Sequence, residues 1–131
     1  PTLYQTMIIK RDRLSSDAMI IDTMNVSEGK WINSNVPPHD FVAVIDAGAS
    51  RFFGKRRTID IIGLNNASIA TKKTSRDVIH YTWVSVFPEV FHFGQKLFDS
   101  HEKQAEFTFP YEKYTICKCP HQTQKIIYKK R

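Results

Sequence analysis

Phe41-Val42-Ala43-Val44-Ile45-Asp46 is the stretch on which the fold turns. Five consecutive apolar residues leave no polar face, as expected of a strand buried on both sides. Gly48 breaks the run. On its C-terminal side Thr58 to Gly63 alternates as a strand does, and Asn65-Asn66 supplies a tight turn. Ser68 to Thr71 reads as a short strand and Val78 to Phe87 as the longest one. Pro88 then opens the one expected helix, about 88–101, because proline suits a first helical position. Val90, Phe91, Leu97 and Phe98 fit one face of that helix. Ala105–Phe109, Tyr114–Cys117 and Lys125–Tyr128 follow as strands, separated by Pro110 and Pro120. On the N-terminal side, Leu3–Ile9 and Met19–Val26 read as strands joined by a turn over Arg11–Asp17. Ser27 to Asp40 reads as a long loop marked by Gly29, Asn33, Asn35 and Pro37-Pro38. The expectation is a mainly β protein: an antiparallel β-sandwich or distorted barrel of eight or nine strands with one short helix. Residues 1–131 are read as a single β-rich domain with a loose basic tail at Lys129-Lys130-Arg131.

Charge gives the functional expectation. The chain carries a formal net charge of +6, and most of its 19 Lys and Arg residues are clustered. The clusters are Lys10-Arg11-Arg13, Arg51/Lys55-Arg56-Arg57, Lys72-Lys73/Arg76 and Lys125/Lys129-Lys130-Arg131. Clustered cations attract a polyanion where scattered ones do not. In a simple meander the first three clusters fall on alternate turns and share one end of the sheet.

Arg51-Phe52-Phe53-Gly54-Lys55-Arg56-Arg57 is the sharpest candidate site, joining guanidinium groups to two rings that can stack on unpaired bases. Lys72, Lys73 and Arg76 extend that path, and Lys10, Arg11 and Arg13 add to it. Tyr128, between Lys125 and Lys129, repeats the basic-plus-aromatic theme. The function expected is non-enzymatic binding of RNA or single-stranded DNA, with no cofactor. The alternative is a self-assembling viral coat or matrix protein whose basic face meets genome or membrane. An acidic protein or an anionic membrane surface would also answer the positive charge.

No apolar run approaches the roughly 18 residues of a membrane span, and no signal-peptide core is present. The chain is therefore read as intracellular (cytoplasm, nucleus or virion interior). Cys117 and Cys119 are too close for an unstrained disulfide. With His121 they offer three soft ligands, one short of a zinc site.

Val44-Ile45-Asp46-Ala47-Gly48-Ala49-Ser50 resembles the apolar-Asp-Thr/Ser-Gly-Ala signature of retroviral-type aspartic proteases. That resemblance implies Asp46 as one carboxylate of a shared pair. The string departs from the family at Ala47, where a hydroxyl residue is expected, and Ile61-Ile62-Gly63 follows too soon. It is also similar to the phosphate loop of actin-type ATPases, which need a far longer chain. An enzyme centred on Asp46 or on the Cys/His group is the third reading.

Overall fold

The computed structural model describes residues 2–71, 80–88, 99–109 and 124–131. Five strands form one open mixed sheet: β1 (Phe41–Val44), β2 (Arg57–Asp60), β3 (Trp83–Val86), β4 (His101–Thr108) and β5 (Gln124–Lys130). Their order is β2-β1-β3-β5-β4. β2 and β3 both run parallel to β1, while β5 is antiparallel to β3 and to β4. Helices accompany them: α1 (Leu3–Ile20), α2 (Ser27–Asn35), α3 (Ala47–Gly54) and the single turn α4 (Ala67–Ala70). A π-helical turn, Ile21–Val26, joins α1 to α2.

The expected eight- or nine-strand antiparallel sandwich or barrel is thus overturned. The largest departure precedes residue 36. Leu3–Ile9 and Met19–Val26 are not strands, and Arg11–Asp17 is not a turn; all are helical. The physical cause is local. Thr2 starts α1 with a capping box: its hydroxyl accepts from the Gln5 amide, and the Gln5 side chain accepts from the Thr2 amide. No Gly or Pro then interrupts the chain before Gly29. The expected loop from Ser27 holds α2, and its glycine serves helix packing. A Cβ on Gly29 would meet Phe53 Cβ at 2.8 Å and the Ala49 carbonyl oxygen at 2.9 Å, so α3 crosses there in direct contact.

Two further segments, one expected as a turn and one as a strand, prove helical. Ala47–Gly54 is α3, which supplies the crossover that parallel strands β1 and β2 require. Asn66 accepts from the Ile69 amide and so caps α4 where Ser68–Thr71 was expected to extend. The long strand expected over Val78–Phe87 is reduced to β3 within residues 80–88, and Val78 lies outside the described residues. Residues 89–98 of the expected helix and the Tyr114–Cys117 strand also lie outside them. Lys129 and Lys130 of the supposed tail pair in β5 with Trp83 and His101. The Arg131 amide donates to the Ser100 carbonyl.

The core has two faces, as the unbroken apolar run in β1 requires. On one face Val42, Val44, Trp83 and Ile127 pack against Ile32 and Val36 of the α2 region. On the other, Ala43, Ile45, Ile61, Val84, Val86, Ile126 and Tyr128 pack with Ile20, Met24, Phe87 and Phe109. α1 is different. Leu3, Tyr4, Met7, Ile9, Leu14 and Met19 are all exposed, and only its end at Ile20 reaches the core. Among the described residues, no helix is long and apolar enough to cross a membrane.

Candidate functional site

β1 is the point where the strand order turns back: β2 lies to one side of it and β3 to the other. In open sheets with parallel strands, ligands favour the crevice outside the strands' carboxyl ends at such a point. A cavity of about 450 Å³ lies on the β2 side of that point, between α3 and β2 with the loop that follows it. Ala47, Gly48, Arg51 and Phe52 of α3 form one wall, and Thr58, Asp60, Asn65 and Asn66 form the other.

Asp60 ends β2 and builds that second wall. Its Oδ1 accepts from the Ile62 and Gly63 amides at 2.9 and 3.0 Å. Its Oδ2 accepts from the Asn65 amide at 2.8 Å and the Asn65 side chain at 3.2 Å. Gly63 sits at φ 98°, the left-handed region, where a Cβ would collide with Ile69 and Ala70. The carboxylate therefore shapes the loop that presents Asn65 and Asn66.

Burial pushes the Asp60 carboxyl up, but the Asn65, Gly63 and Ile62 amides outweigh it, and the net displacement is below the ordinary 3.8. A carboxyl held low in the fold stabilises it fully above its unfolded value and loses that contribution as pH falls through the folded value. Urea midpoints should thus show an acid-side loss beginning near pH 4, and Asp60→Asn should remove that component. An identical acid slope in the variant would count against the assignment.

Arg51 and Phe52 face the crevice differently. Arg51 is exposed, and its guanidinium has no hydrogen-bond or ion-pair partner among the described residues. Phe52 is 74% exposed and meets Phe53 edge-to-face, with ring centroids 5.0 Å apart. Phe53 itself is half-buried beside Gly29. Lys55 caps α3 in the left-handed region at φ 50° and is exposed.

Arg56 is not available to a ligand. Its Nε donates to the Val36 carbonyl at 2.7 Å, and its two terminal nitrogens reach the Asn33 carbonyl and side-chain oxygens. These are carbonyls that the end of α2 leaves unpaired, so the cation closes that helix. Arg57 lies over the Phe41 ring, 4.2 Å from its centroid. Lys10 and Arg11 project from α1, where Arg11 pairs with Asp12, so they do not join α3 as successive basic turns. Arg13 lies on the same helix. Lys72, Lys73 and Arg76 fall outside the described residues, as do Cys117, Cys119 and His121.

Lys125 reverses its expected role. It is fully buried, and its Nζ lies 2.6 Å from Glu28 Oε2. The same oxygen accepts from Ser50 at 2.6 Å, and Lys125 also donates to Asn25 Oδ1 at 3.1 Å. Asn25 Nδ2 in turn donates to Asp46 at 2.5 Å. Asp46 is thereby tethered to the π-helical turn. No group of three His, Cys, Asp or Glu side chains among the described residues could hold a metal ion.

Fold and crevice together define a small mixed-sheet domain with a cleft between α3 and the loop after β2. The chain belongs to the family described as Domain of unknown function (DUF8728), which it matches over residues 17–127. No curated protein and no solved structure matches it.

Proposed function

We propose that this domain is a non-catalytic binding module whose crevice takes a sugar-phosphate unit, a phosphoryl group carried on a hydroxylated ring. The observation that carries the reading is the unpartnered Arg51 guanidinium on the wall of the cavity, opposite Thr58, Asn65 and Asn66. A guanidinium grips phosphate oxygens through paired donors. Amides both donate and accept, which is what hydroxyl groups require. Phe52 adds an exposed flat ring at the lip. Asp60 commits both oxygens to its own loop, so its part is to hold the wall rather than to move a proton.

Amide chemical-shift titrations with inorganic phosphate, ribose 5-phosphate, glucose 6-phosphate and adenosine monophosphate test this. Saturable shifts confined to residues 47–66 are expected, and the ranking of the four identifies the ring. Arg51→Ala should weaken binding about 10- to 100-fold, the loss of one charge-assisted contact. Shifts absent at millimolar ligand, or unchanged by Arg51→Ala, would refute the site.

A further inference from the structure

The other end of the sheet carries a second, separate feature. Lys55 follows α3, Arg57 begins β2, and Lys129, Lys130 and Arg131 end β5. Because β2 is parallel to β1 and β3, while β5 is antiparallel to β3, the start of β2 and the end of β5 meet the same edge. Register fixes the row. Phe41 pairs with Arg57, Val42 with Trp83, and Trp83 with Lys129, so Arg57 and Lys129 stand at neighbouring levels of the strand ends, one on each face of the sheet. Three inter-strand steps separate β2 from β5, a span of about 14 Å. Clusters that lie far apart in the sequence therefore share one edge, by a topology that a meander does not produce.

None of these five cations forms an ion pair among the described residues. Two are held on aromatic faces instead: Arg57 over Phe41, and Lys129 Nζ 5.2 Å from the centre of the Trp83 ring. The nearby Asp40 carboxylate accepts from Trp83 Nε1 at 2.8 Å. Glu102, opposite Lys129, and Asp99 offset only part of the charge.

From this we infer that the strand-end row Lys55, Arg57, Lys129, Lys130 and Arg131 docks the phosphate backbone of nucleic acid. Phosphate contacts of this kind position a strand without reading its bases. The chemistry favours a nucleic acid over a lipid surface. Interfacial binding buries apolar side chains beside the cations, and the exposed large apolar residues lie on α1, the turn after it, Phe52 and Leu64, not in this row. The row rests on the strand ends and not on the crevice, whose Arg51 precedes Lys55 by one turn of α3.

Fluorescence anisotropy with labelled oligo(dT) and a mixed-sequence duplex, at several salt concentrations, decides it. With three to five phosphates engaged, log K should fall against log salt with a slope of roughly −2 to −3.5 for the single strand. Lys129→Gln/Lys130→Gln/Arg131→Gln should lower affinity at least tenfold. Lys55→Gln/Arg57→Gln, at the far end of the row, should do likewise if the first variant is poorly folded. Arg51→Ala, one helical turn from Lys55, should lower this binding less than either row variant does, which separates it from the crevice. The inference fails if neither probe binds at low salt, or if both row variants bind as the parent does. It fails equally if phosphatidylserine vesicles bind while oligonucleotides do not.

Discussion

Lys125→Ala should cost the fold about 3–5 kcal/mol in urea denaturation, because it leaves a buried carboxylate without its cation. A domain of this size has roughly 5–15 kcal/mol in total, so the variant would sit near the edge of folding. Glu28 is as buried as Lys125, and its Oε1 already lacks a hydrogen-bond partner. Removing the lysine would strand the charge with only Ser50 donating to it. The paired change Lys125→Met/Glu28→Leu should recover most of the loss, since apolar side chains of similar volume avoid the desolvation cost of both ions. If the double variant were as unstable as the single one, the ion pair would not be the source of the effect, and packing around Ser50 and Asn25 would have to explain it.

Trp83→Ala should be of similar size, about 3–5 kcal/mol, for a different reason. Trp83 opens the central strand and is buried among Val42, Ile32 and Ile127, with the Trp31 ring edge-on at 6.1 Å. Its loss would leave a cavity that four-residue strands cannot close. Trp83→Phe keeps most of the volume and gives up the hydrogen bond to Asp40, so it should cost only about 1–2 kcal/mol. Chemical denaturation of the two variants side by side separates packing from hydrogen bonding. Equal losses would mean that the Asp40 contact, not the ring, holds the strand in place.

Much of β1 was legible because a continuous apolar run has one simple meaning, burial on both faces. The same run also carried the strand direction, since strands buried on both faces belong mostly to parallel pairings. Alternation elsewhere drew the reading toward antiparallel neighbours. The N-terminal helices were misread because Ile8, Ile9, Ile20 and Ile21 favour strands on propensity, while the Thr2–Gln5 capping pair and the lack of a breaker before Gly29 were stronger signals.

Arg51 and Phe52, which line the crevice, stand out in the sequence by a local basic-aromatic pattern. Their opposite wall does not, because Asp60, Asn65 and Asn66 act through a loop whose shape depends on one carboxylate. That Asp is followed by Gly63 and two Asn residues, a turn signature that can be found once the Asp is treated as a loop former. Arg56 and Lys125 show the limit of charge patterns. Nothing in a row of basic residues tells which one closes a helix and which one is buried.

The strand order has a consequence for the growing chain. Among the described residues β4 pairs with β5 alone, yet it is made first. At roughly 5–20 residues per second, β4 waits on the order of a second before β5 is made. Such a strand invites pairing with a neighbouring chain, and inward or outward charge is the usual defence. Glu102, Lys103 and Glu106 supply it, with Lys103 and Glu106 paired to each other across the strand's exposed surface. Replacing those three by apolar residues would leave the finished sheet much as it is and would show itself in the yield of soluble protein, at the moment of synthesis rather than in the folded state.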